Sequence, residues 1–151
     1  MKHLLFFLLP LFAAQSQHQI EHQSQIWYGY YLTYPITKQW YVQGEAHTRH
    51  FIDPLVHHQN AFRAHVHRTV GDNWDLSAGA ALFLNTPNDP LATNRLAIPE
   101  YRPHVDVAYK HRLSKVRLDH RFRSEMRFIR ETNAGRTELT EAVHFSNYRL
   151  R

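Results

Sequence analysis

Arginines and carboxylates recur in this chain at a spacing that builds ion pairs. Arg117, Asp119, Arg121, Arg123, Glu125 and Arg127 all share one parity. Side chains two apart on a strand point to the same face, so one face of this segment is wholly charged. The same rule groups Glu45 with Arg49, places Arg63 on the matching face of the next segment, and groups Glu100 and Asp106 with Arg102. A guanidinium beside a carboxylate stabilises its charged form, the reverse of what a general acid needs. These residues are therefore expected to form an ion-pair network along a shared inner face, and no catalytic residue is assigned among them.

Histidine is the other abundant chemical group, with 13 copies. His65 and His67 share a strand face, and His47 lies on the matching face of the preceding strand. Three such imidazoles could hold zinc or copper. In so histidine-rich a chain, two histidines at i and i+2 also arise without any ligand role, so no cofactor is expected. His57 and His58 fall in a loop segment and are expected to be solvated, and the surplus of imidazoles gains positive charge at mildly acid pH. Ser77, with Asp75 on its face, is the most plausible nucleophile; Ser124 and Ser146 have no base on their own face. A nucleophile needs a base within hydrogen-bond reach. Small barrels that hydrolyse or transfer lipid acyl chains use serine and histidine near the rim, so a lipid-modifying enzyme is kept as an alternative. The absence of cysteine excludes disulfides, thiolate metal sites and cysteine nucleophiles.

The elements that must position these residues have a period of two, not 3.6. Expected strands cover residues 25–34, 40–51, 60–70, 74–84, 96–111, 116–130 and 140–151. Gly71-Asp72-Asn73 makes a hairpin turn. Residues 53–59, 85–94 and 131–136 make the longer loops. A length of 151 residues suits one domain. Short connections without helical crossovers imply antiparallel pairing, and the strands exceed the usual five or six residues.

Ahead of them stands Lys2, an apolar run from Leu4 to Phe12, and small residues at Ala14 and Ser16. That is the order of a secretory signal peptide, residues 1–16, with the barrel domain at 17–151. The run is too short to span a membrane as a helix.

The strand faces differ in kind. Trp74, Leu76, Ala78, Ala80, Leu82 and Leu84 oppose Asp75, Ser77 and Gly79. Val116, Leu118, Phe122, Met126 and Phe128 oppose the charged set of the sixth strand. A soluble sandwich also alternates, with its apolar face inward. The leader, the strand lengths and the aromatics near strand ends (Trp27, Tyr34, Trp40, Trp74, Tyr101) favour an outer-membrane-type barrel, apolar outside and charged inside. A soluble periplasmic or secreted ligand-binding barrel is the alternative.

Charge is concentrated late. Residues 110–151 carry a net of +6, against −1 for the rest. A basic block can mark nucleic acid or an anionic surface. An exported chain rarely meets nucleic acid, so none is expected as a partner. Arginine–carboxylate pairs lining a lumen explain the block first, and an anion-selective or phosphate-binding surface second.

The blocks Ile26-Trp27-Tyr28-Gly29-Tyr30, Trp40 with Glu45 and Arg49, and Gly71-Asp72-Asn73-Trp74 through Ala78-Gly79-Ala80 form an ordered series. It continues with Pro99-Glu100-Tyr101-Arg102, His120-Arg121-Phe122-Arg123 with Glu125, and Asn147-Tyr148-Arg149-Leu150-Arg151. The series resembles domain-of-unknown-function family 2490, over nearly the whole mature chain. The resemblance implies an outer-membrane-type β-barrel exported by a signal peptide, mainly in Gram-negative bacteria. It implies no activity.

The expected fold is thus all-β, an antiparallel up-and-down meander forming an outer-membrane-type barrel. Bacterial barrels have an even strand number with a minimum of eight. Seven strands and an Arg-Leu-Arg ending therefore suggest a truncated chain; the alternative is an eighth strand from the polar segment behind the leader. With the N-terminus in the periplasm, the short turns would lie outside, opposite to the usual arrangement. The expected role is an envelope protein, structural or weakly channel-forming, with outer-membrane lipid as its partner.

Overall fold

A computed structural model describes residues 23–150. The expected signal peptide and the polar segment through residue 22 lie outside the described residues. Seven strands follow in sequence: β1 (Gln25–Pro35), β2 (Trp40–Phe51), β3 (Val56–Val70), β4 (Trp74–Asn85), β5 (Ile98–Leu113), β6 (Val116–Thr132) and β7 (Leu139–Leu150). Each pairs antiparallel with the next in a single sheet ordered β1 to β7. This is the expected meander. Among the described residues the sheet is barrel-like but not closed.

Turn chemistry sets the short connections. Gly71 has φ of 60°, the left-handed geometry that a tight hairpin turn demands. Ser114 takes φ of 33° in the two-residue turn between β5 and β6. In the first turn, the Thr37 hydroxyl accepts hydrogen bonds from the backbone N–H groups of Gln39 and Trp40 at 3.2 and 3.0 Å.

The strand ends shift by one or two residues in β1, β4, β5, β6 and β7, and the largest difference from expectation is at β3. β3 begins at Val56, so His57, His58 and Gln59 belong to a strand rather than a loop. Asp53-Pro54 and the paired histidines carry turn-like composition. A register shift at Arg49/His50 nonetheless lets the ladder continue to Phe51↔Val56. Phe51 then packs on the His58 ring at 4.6 Å. Bulges of this kind are tertiary choices with no single-strand signature.

Burial is inverted relative to a soluble sheet. Glu100 is 2% exposed, whereas Phe122 is 53% and Val105 54% exposed. Among the described residues no second layer covers the polar face, yet its side chains are buried, so the sheet curls with that face inside. The inner face is continuous across register: Gln43, His65 and Gly79 align, as do Glu45, Arg63, Ala81 and Arg102. Near the longer loops it ends in a small apolar cluster of Ala61, Ala81 and Phe83. The outer face carries Phe62, Val66, Leu76, Leu82, Val105, Phe122 and Met126, all exposed.

Candidate functional site

The inner face holds the chemistry, and neighbouring strands supply its partners. Glu45 and Arg63 are register partners on β2 and β3, and their side chains meet at 2.7 Å. His47 completes this group. Trp27 Nε1 donates to His47 Nδ1 at 3.0 Å, so Nδ1 is an acceptor and Nε2 carries the proton toward Glu45 at 3.3 Å. Arg49 lies over the Trp27 ring at 4.4 Å rather than against Glu45.

Asp106 and Arg123 are register partners on β5 and β6. Arg123 donates to both carboxylate oxygens at 2.6 Å each, a bidentate pair. Glu100 receives Arg102 through two bonds of 2.8 Å and also accepts from Arg127 across the β5–β6 ladder. Arg63 and Arg102 stack on Phe83 at 5.3 and 4.1 Å, so the apolar cluster is roofed by guanidinium planes. Glu125 is buried opposite His104. Arg117 and Asp119 pair at 3.0 Å on an exposed stretch of β6, where such a pair contributes little. Arg121 is also exposed, facing Ala108.

The expected trio of His47, His65 and His67 does not converge. Trp27 and Glu45 engage both ring nitrogens of His47. His67 is held by Asp75 at 2.7 Å and stacked on Tyr41, whose hydroxyl donates to the same Asp75 at 2.8 Å. His65 instead meets His104 of β5, ring centroids 4.7 Å apart. His104 shares the parity of Glu100, Arg102 and Asp106, but parity within a strand does not bring it to His65, because β4 intervenes.

Ser77 lies opposite His67 in one ladder and Asp106 in the next. His67 Nε2 is buried and makes no hydrogen bond. The contact that would activate Ser77 is therefore not made.

A family model described as "Protein of unknown function (DUF2490)" matches residues 24–151. The chain belongs to this family. No curated protein and no solved structure matches it. All the sequence blocks that resembled DUF2490 fall within the matched span, from Ile26 on β1 through Glu100 and Arg102 on β5 to the charged face of β6. The DUF2490 match thus covers the whole sheet and every member of the inner-face network. No helix among the described residues is long and apolar enough to cross a membrane, which has no bearing on strands.

Proposed function

We propose that the protein is an outer-membrane β-barrel, exported by residues 1–16, whose interior is filled by an ion-pair network. Its role is structural, with at most weak conduction. The observation that carries this reading is the inverted burial: carboxylates and imidazoles inside, a largely apolar surface outside, interrupted by Arg68, His120 and Ser124. In water, an apolar face of this extent would be a severe aggregation hazard; in lipid it is the required exterior.

Dimensions support the same reading. From Trp74 to Leu84, β4 rises roughly 33 Å at about 3.3 Å per residue. Tilted by about 40°, that covers roughly the 25 Å apolar band of an outer-membrane barrel. Tyr34, Trp40, Trp74 and Tyr109 gather on the outer face at the short-turn end, as an aromatic girdle does. A barrel of about eight strands fills its interior with side chains, whereas porin-sized barrels leave a channel. Neutralising pairs such as Asp106–Arg123 suit a filled interior.

Tryptophan quenching by brominated lipids tests the reading. Trp40 and Trp74 face outward, whereas Trp27 faces inward under Arg49. Single-tryptophan versions retaining Trp40 or Trp74 should be strongly quenched after reconstitution, and the version retaining Trp27 should not. Equal weak quenching of all three would favour a soluble barrel and overturn the proposal.

A further inference from the structure

We propose that His65, His104 and Asp106 form a binding site for a zinc- or copper-class dication inside the sheet. The three residues are buried, and their ligand atoms all lie within 4.8 Å of one another. Tetrahedral metal bonds of about 2.0–2.2 Å place ligand atoms roughly 3.3–3.6 Å apart, within about 1.5 Å of the separations here. Small side-chain rotations therefore close the site.

Backbone architecture brings them together. His65 on β3 and His104 on β5 are both register partners of Gly79 on β4. With no side chain at Gly79, the two imidazoles meet over the middle strand. A Cβ there would lie 2.3 Å from the Ala64 carbonyl oxygen, so β3 and β4 also approach too closely for any other residue.

The hydrogen-bond inventory points to a ligand independently of that proximity. His104 Nδ1 lies 3.1 Å from the Arg102 carbonyl oxygen. A carbonyl only accepts, so Nδ1 carries the proton and Nε2 presents its lone pair. That Nε2 is buried and makes no hydrogen bond, and the same holds for Nε2 of His65. Each residue is only 5% exposed. A buried polar atom left unsatisfied is costly and rare, and here two converge. Imidazole held through Nδ1–H to a carbonyl is the arrangement that orients a metal-binding histidine.

The charge environment allows a dication. Arg123 occupies both oxygens of Asp106, but each oxygen has a second lone pair, so the carboxylate can bridge guanidinium and metal. Glu125 acts electrostatically on His104, and Glu45 on His65. These two carboxylates offset the repulsion from Arg123. Two imidazoles and one carboxylate suit zinc, copper or nickel, whereas magnesium and calcium prefer all-oxygen sites.

The test uses the full chain refolded in detergent, titrated with Zn²⁺ against a chromophoric chelator and with Cu²⁺ by pulsed electron paramagnetic resonance. One ion per chain and a Cu²⁺ spectrum with two coordinated imidazoles are expected, with no competition from Mg²⁺. His65→Gln and His104→Gln should each weaken binding by about tenfold or more, while His57→Gln and His58→Gln should leave it unchanged. Absence of binding overturns the proposal, as does loss of binding on changing His57 or His58 alone. Should the His65 and His104 variants fail to fold, the native chain decides: a Cu²⁺ spectrum with fewer than two imidazoles refutes the site.

Discussion

Replacing Arg123 by leucine isolates the contribution of one inner-face pair. Arg123 grips Asp106 through two bonds of 2.6 Å, and the two side chains are only 13% and 7% exposed. Removing one partner of a buried pair typically costs about 3–5 kcal/mol, because the remaining charge is stranded. Arg121 acts on Asp106 electrostatically and would partly compensate, so the lower end, about 3 kcal/mol, is expected. Glu100 provides an internal comparison. It keeps both bonds from Arg102 when Arg127 is removed, so Arg127→Leu should cost only about 1–2 kcal/mol. Phe122→Leu, on the half-exposed outer face, should cost under about 1 kcal/mol.

Urea unfolding in detergent or lipid, followed by tryptophan fluorescence, reads all three. With a slope of about 2 kcal/mol per molar, Arg123→Leu should lower the midpoint by about 1.5 M. Adding Asp106→Leu to Arg123→Leu should recover most of the loss, because an apolar pair leaves no stranded charge. A neutral Arg123→Leu beside a severe Phe122→Leu would invert the facing assignment and remove the main support for a membrane barrel.

Two further outcomes follow from local geometry. Gly79→Ala drives a Cβ into the Ala64 backbone and should cost about 3 kcal/mol or more, or abolish heat-modifiable migration on gels, whereas Gly44→Ala, with open space around it, should stay within about 0.5 kcal/mol. Val105→Arg, near the middle of the outer face and 54% exposed, should cost about 2–4 kcal/mol in lipid vesicles by denaturant titration; a cost below about 0.5 kcal/mol is what a water-facing site would give.

Period two made the facing of nearly every strand residue legible. Asp75, Ser77 and Gly79 lie inside and Leu76, Ala78 and Ala80 outside, as alternation demands. Turn chemistry placed Trp40, Trp74 and Val116 at strand starts. The partners within the network were less legible. Alternation within a strand suggests Arg49 for Glu45 and Arg102 for Asp106, but the observed partners are Arg63 and Arg123. Glu100 keeps its same-strand arginine at 2.8 Å, as does the exposed Asp119 with Arg117 at 3.0 Å. Pairing depends on the register between strands, which a single strand does not encode. The His65–His104 meeting was further out of reach, since it spans two ladders and depends on a glycine between them.

That dependence on register suggests what the network specifies. A one-residue slip would turn buried carboxylates outward, and the alternating faces already exclude it. A two-residue slip keeps both faces intact, so hydrophobicity cannot oppose it. Pairing can. Slipping β5 against β6 by two would set Asp106 opposite either Arg121 or Glu125 instead of Arg123. Arg121 lies on the exposed stretch of β6, and Glu125 is a like charge. On β2 and β3, the same slip would put Ala61 or His65 opposite Glu45. The Tyr41 hydroxyl bond to Asp75 spans from β2 to β4 and would be broken by a slip in either intervening ladder. In the proposed membrane setting, lipid offers an apolar exterior no means of ranking these registers, so the ranking falls to the buried charges. Buried charges add little net stability, but they can decide which of several apolar-equivalent sheets forms. A barrel interior built in this way specifies a structure without needing a substrate, in keeping with the structural role proposed for this DUF2490 protein.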